Sequence, residues 1–145
     1  MSRRYSDANE IAFFDKLTPA STYALGLLYA DGCVKITRGV CRALHILLKS
    51  TDRETLDNLK LITGSERPVL TVRKGRACEL CFNSSALTQM CMTRYGLTQR
   101  KSLCCEWPEM IPSTLRSHFA RGYFDGDGHI SVRIPTGRVR PTLAM

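Results

Sequence analysis

Asp31 and Asp127 occupy the same place in two segments of one design, ALGLLYADG at 24–32 and ARGYFDGDG at 120–128. Each segment is an apolar helical run closed by a small residue, an acid and a glycine. A displacement of 96 residues lays Asp31 on Asp127, Thr18 on Thr114, Ser21 on Ser117, Gly26 on Gly122 and Gly32 on Gly128, the mark of an internal duplication. An acid in the last turn of a helix faces the negative end of the macrodipole, at a cost of about 0.3–1 kcal/mol. Helix stability therefore gives no reason for either residue. Two such carboxylates brought together repel unless a divalent cation lies between them, and oxygen-only ligands point to Mg²⁺ rather than zinc. Just behind the acids, Gly26 and Ala30 in one copy and Gly122 and Gly126 in the other stand four apart on one helix face, where small side chains let two backbones approach. Unrelated amphipathic helices stopped by Asp-Gly turns would explain one segment alone, and explain the pair much less well.

At these residues the chain resembles the LAGLIDADG homing endonuclease family, in the form whose motifs read GLLYADG and GYFDGDG. The resemblance extends to NEIAFF at 9–14, GLTQRKS at 96–102 and WPEMIP at 107–112, and so covers almost the whole chain. It implies that the two motif helices join two similar halves and that each half lays a β-sheet saddle on duplex DNA. It further implies that Asp31 and Asp127 are metal ligands and catalytic acids using Mg²⁺ or another divalent cation such as Mn²⁺. Lys101 falls where the family places a basic residue near the site, to orient water or neutralise charge; otherwise it is one more exposed lysine. The implied reaction is hydrolysis of one phosphodiester on each strand, giving a staggered double-strand break at a specific site. An intron, intein or free-standing origin stays open.

Periodicity supplies the elements that must position these residues. A lead-in at 9–17 precedes a motif helix opened by a Thr18 cap with Pro19 in its first turn and ended by Gly32. Strands at 33–37 and 41–49 flank a turn at Arg38-Gly39, a helix runs from 51–52 to about 62, and strands at 69–74 and 77–83 flank Gly75. Ser84 or Ser85 then caps a helix running to about 95, ended by Gly96. The fold class expected is α+β, an αββαββα unit with a four-stranded antiparallel sheet. A second unit follows with a motif helix from 112–113 and a strand at 129–134. The domains are thus 1–17, a basic arm and lead-in; 18–111, the first half; and 112–145, the start of a second half. A two-motif member would need roughly another hundred residues. The alternatives are a shortened gene product, a designed form, or one half of an assembly completed by a second chain.

Lys35, Thr37, Arg38 and Arg42 in the first hairpin, and Thr71, Arg73, Arg76 and Glu79 in the second, are the long polar side chains available to read DNA from one sheet face. Lys49 and Arg53 are weaker candidates, suited to phosphate or solvent. Asp125 and His129 flank Asp127, but Asp125 lies about 200° around the helix from it and reads as a cap or solvent residue. Twenty-one Lys and Arg against thirteen Asp and Glu leave a net charge of +8, which favours a phosphate-bearing partner such as double-stranded DNA. No long apolar run or secretion signal is present, so no membrane partner is expected, and the place expected is a reducing cytosol or wherever the host DNA lies. The seven cysteines are odd in number and irregularly spaced, which argues against a disulfide framework. Cys78 and Cys81 form a CxxC, yet along a strand they point to opposite faces, so most of these thiols are expected to be small core residues rather than zinc ligands. Besides the endonuclease, two further readings remain: a non-cleaving nucleic-acid binder on the same scaffold, such as an intron maturase or transcription regulator, and an interaction module whose charge is incidental.

Overall fold

The computed structural model describes residues 5–99, 107–133 and 140–144. Helix α1 (Ala8–Asp15) leads into α2 (Pro19–Asp31), the hairpin β1 (Gly32–Thr37) and β2 (Val40–Lys49), and α3 (Arg53–Thr63). A second hairpin, β3 (Leu70–Val72) and β4 (Ala77–Phe82), is followed by α4 (Ser85–Tyr95), α5 (Arg116–Asp127) and the strands β5 (His129–Arg133) and β6 (Arg140–Ala144). The first four strands form one antiparallel sheet in the order β1-β2-β4-β3, and β5 pairs with β6 in a second sheet. This is the expected αββαββα unit, followed by the opening helix and strands of another.

Local sequence explains the boundaries. Thr18 Oγ1 accepts from Ser21 N at 3.1 Å while Ser21 Oγ accepts from Thr18 N at 2.8 Å, a reciprocal cap with Pro19 in the first turn of α2. Gly64 and Gly96 end α3 and α4 at φ +65° and +68°, a left-handed conformation open to glycine. Arg38 and Gly39 both have positive φ, the signature of a two-residue hairpin turn that matches strand twist. β3 is only three residues long, against the six expected at 69–74, because Arg73, Lys74 and Gly75 all take positive φ and carry the chain out of the ladder after Val72. β6 is a strand that the motifs did not announce.

The core lies between the helices and one face of the first sheet, where Leu44, Ile46, Leu80 and Phe82 alternate inward. The lead-in packs as a helix against it: Phe14 is fully buried and meets the Phe82 ring edge-on at 6.5 Å. Glu10, also fully buried, accepts from Ser65 Oγ at 2.6 Å and pairs with Arg67 Nε at 3.3 Å, tying α1 to the segment after α3. α2 is buried on nearly every side from Ser21 to Tyr29, as a helix must be when it is covered by one layer in front and another behind.

The layer behind is α5. A Cβ on Gly26 would collide with the main-chain carbonyl oxygen of Phe119, and one on Gly122 with that of Tyr23. Gly26 and Gly122 are 96 residues apart, and so are Tyr23 and Phe119, so the packing repeats the duplication as a pseudo-twofold axis. Neither backbone oxygen can swing aside as a side chain would. Gly122→Ala is therefore expected to lower stability by about 3 kcal/mol, read from the urea unfolding midpoint, while Ser117→Ala on the exposed side of α5 shifts it by less than about 0.5 kcal/mol. Equal midpoints for the two variants would contradict this packing.

Candidate functional site

The crossing of α2 and α5 ends at the two motif acids. Asp31 is the last residue of α2 and half-buried, and Asp127 is the last residue of α5 and exposed. A methyl group at Gly126 would stand 2.5 Å from the Ala30 Cβ and 2.7 Å from Asp31 Oδ2, so the missing Cβ admits the Asp31 carboxylate against the final turn of α5, one residue before Asp127. Of the small residues singled out by sequence, Ala30 and Gly126 meet each other, while Gly26 and Gly122 each face main-chain atoms of the opposite helix. Carboxylate oxygens are the ligands a hard divalent cation takes, and an ion with few protein ligands keeps water or takes up phosphate oxygens. Among the described residues no group of three or more His, Cys, Asp or Glu side chains is arranged to hold a metal ion.

Asp125 does not merely face solvent, as its angular position suggested. Its Oδ2 accepts from the Tyr23 hydroxyl at 2.8 Å, bridging the two helices, and Arg121 lies over the Tyr23 ring at 4.8 Å. Sequence reading missed this cluster because it depends on the helix crossing, which brings together residues 102 apart. Lys101 lies outside the described residues, as do the side chain of His129 and the adjacent Cys104 and Cys105.

On the first sheet, alternation sorts the remaining candidates. The face away from the helices carries Lys35, Ala43, His45, Glu79 and Cys81, with register pairs Lys35–Ala43 and His45–Cys81. A bulge between Lys35 and Ile36 leaves Arg42 opposite no partner. Arg42 then lines a shallow groove with Lys35, Thr37, His45, Cys81 and Asn83. At the other end of the sheet Lys49, Arg73 and Arg76 line a second groove, and Arg38 is exposed in the opposite turn. β2 spans ten residues, so the two basic ends stand about 30 Å apart. Thr71 is elsewhere: it pairs with Cys78 on the helix-packed face and accepts from Arg53 Nη1 at 3.1 Å. Arg53 also donates to Val69 O at 2.8 Å, which makes it a strut between α3 and β3. Glu79 Oε1 accepts from His45 Nδ1 at 2.7 Å, a cross-strand pair that sequence reading did not foresee, since it needs the β2–β4 register.

The CxxC divides as its strand requires, with Cys78 in the core and Cys81 on the open face. The expectation that most thiols are core residues holds for Cys78 and Cys91 alone among the five described; Cys33 is exposed, and Cys41 and Cys81 are half-buried. Strand alternation is the reason for Cys33 and Cys81. Burial pushes the Cys91 thiol up to about 12 and raises those of Cys78 and Cys81, so none of these three is set up as a nucleophile.

Three solved structures share this architecture. The homing endonuclease I-GzeII in complex with its DNA target superposes with a TM-score of 0.53 at 11% identity, covering 88% of this chain and 65% of its own. The meganuclease I-AabMI bound to uncleaved DNA gives 0.54 at 11%, with the same coverage, and I-LtrWI bound to target DNA gives 0.51 at 11%, covering 86% and 65%. The fold is that of the LAGLIDADG homing endonucleases. This chain spans about 65% of the length of each of these proteins. No family model matches the sequence. A probable translation initiation factor IF-2 of Methanocaldococcus jannaschii is 24% identical over 117 residues, which is 77% of this chain and 9% of that protein. Among the described residues no helix is long and apolar enough to cross a membrane.

In this LAGLIDADG fold the Tyr23 hydroxyl is a reporter of the crossing. Burial, reinforced by its bond to Asp125, pushes it up to about 12 from an ordinary 10.0. The folded state holds this proton more tightly than the unfolded chain, so the contribution is complete below pH 10 and is lost as pH rises toward about 12. Tyr23→Phe is therefore expected to lose less stability than the wild type between those values, in urea unfolding at a series of alkaline pH; equal losses would contradict the bridge.

Proposed function

We propose that this chain is a site-specific, divalent-metal-dependent DNA endonuclease of the LAGLIDADG homing type, which hydrolyses phosphodiesters to give a staggered double-strand break. The observation that carries this reading is the pseudo-twofold helix crossing whose two ends are Asp31 and Asp127. A scaffold that only bound nucleic acid would have no use for a carboxylate at each of these ends, where the helix dipole disfavours it. Mg²⁺ or Mn²⁺ held by Asp31 and Asp127 would supply Lewis acidity at the scissile phosphates and a hydroxide nucleophile near neutral pH.

The chain's own groups have distinct tasks in this reading. Gly126 seats Asp31, and the Ala30–Gly126 contact holds both acids at a fixed separation. Lys35, Thr37, Arg38 and Arg42 at one end of the open face, with Arg73 and Arg76 at the other, hold phosphates and base edges about one turn of duplex apart. Thr71 supports the edge strand through Arg53. Lys101 orients water or offsets charge on the phosphate. The units are an arm and lead-in at 1–17, a first half at 18–111 and the start of a second at 112–145. The partners in this reading are double-stranded DNA and a second chain on the other DNA half-site.

Plasmids bearing candidate insertion sites test the proposal. Mg²⁺-dependent linearisation or nicking is expected, abolished by EDTA and lowered about 100-fold or more by Asp31→Asn or Asp127→Asn, since the loss of a metal ligand removes several kcal/mol of transition-state stabilisation. Duplex binding by both variants should persist and weaken steeply with salt. Salt-sensitive binding with no metal-dependent cut at any site would instead favour the non-cleaving binder.

A further inference from the structure

Among the described residues, the four strands of the first sheet carry one acidic side chain, Glu79. It sits on the open face between the two basic ends. If that face lies on DNA, a carboxylate there repels phosphate, so its favourable partners are the amino groups of base edges. Its position is fixed from within the protein. Glu79 Oε1 accepts from His45 Nδ1 at 2.7 Å, and because a carboxylate has no proton to give, Nδ1 carries the hydrogen. His45 is one strand over, on β2, where Cys81 is its register partner and Leu47 is that of Glu79. Both side chains are about one-quarter exposed, 24% and 25%, which is enough to be touched and too little to wander. The bond uses one carboxylate oxygen and leaves the second available to accept.

We propose that Glu79, oriented by His45, selects cytosine in the major groove by accepting a hydrogen bond from its N4 amino group; this rests on the DNA-reading role proposed above. Guanine and thymine present acceptors along that edge and repel a carboxylate. Adenine offers an N6 amino group, but the N7 lone pair beside it faces the same carboxylate. Cytosine has a C5–H edge there instead. His45 is a positioning residue in this scheme: it holds the acceptor in place without touching the base.

The test is selection of the full chain on a duplex library with randomised positions, followed by sequencing of the bound fraction. The wild type should enrich cytosine at one position. Glu79→Gln keeps its amide oxygen for His45 and turns a donating NH₂ to the base in place of the accepting oxygen, so it should shift that position from cytosine toward the purines, whose N7 accepts, by about tenfold and leave the others unchanged. His45→Ala should weaken the cytosine preference, and His45→Asn, whose amide can donate in place of Nδ1, should restore it. Thermal unfolding confirms that each variant is folded. Enrichment by the wild type with every position unmoved in Glu79→Gln overturns the inference while leaving DNA reading intact. Failure of the wild type to enrich any sequence overturns both.

Discussion

Backbone-to-backbone contact between α2 and α5 is the constraint on which the rest of the molecule turns. Two carbonyl oxygens, of Tyr23 and Phe119, occupy the space that a side chain at Gly122 or Gly26 would fill. Helices packed this closely have little freedom to slide or rotate, because the contact is made by main chain rather than by flexible side chains. The ends of the two helices are therefore fixed relative to each other, and the acids lie at those ends. Each carboxylate is disfavoured by its own helix dipole.

The same crossing explains why α2 has no polar stripe. Leu25 and Leu28 lie in the core on one side of it, and the other side meets α5 through Gly26 and its neighbours, so nearly the whole surface is dry. With α2 as a central post, the first sheet is held with one face in the core and the other open. On the open face the charge is distributed unevenly: cations gather at the hairpin turns, where Arg38, Arg73 and Lys74 take left-handed conformations that throw their side chains outward, and the middle is given to the His45–Glu79 pair.

Much of this was legible in the residues. The repeat at a displacement of 96 named both acids and the small residues behind them, and the structure uses those positions as the crossing. Caps at Thr18 and Ser84 and stops at Gly64 and Gly96 lie where the sequence put them, since each is a local device needing no distant partner. What escaped depends on distant register. The angle of Asp125 on its own helix says nothing of Tyr23, and only the crossing brings the two together. Composition makes Thr71 one polar side chain among several, and only the pairing with Cys78 puts it on the helix side. The short β3 escaped because two ordinary residues, Arg73 and Lys74, adopt a conformation that composition assigns to glycine.

The most direct measurement is the pattern of proton NOEs at the helix crossing in the free chain. Close packing predicts a strong NOE between the Ala30 methyl and the α protons of Gly126, with a matching pair from Gly26 to Phe119 and from Gly122 to Tyr23. If the α protons of these glycines instead show contacts only within their own helices, the acids are not held together, and the reading of this chain as a metal-dependent nuclease loses its foundation.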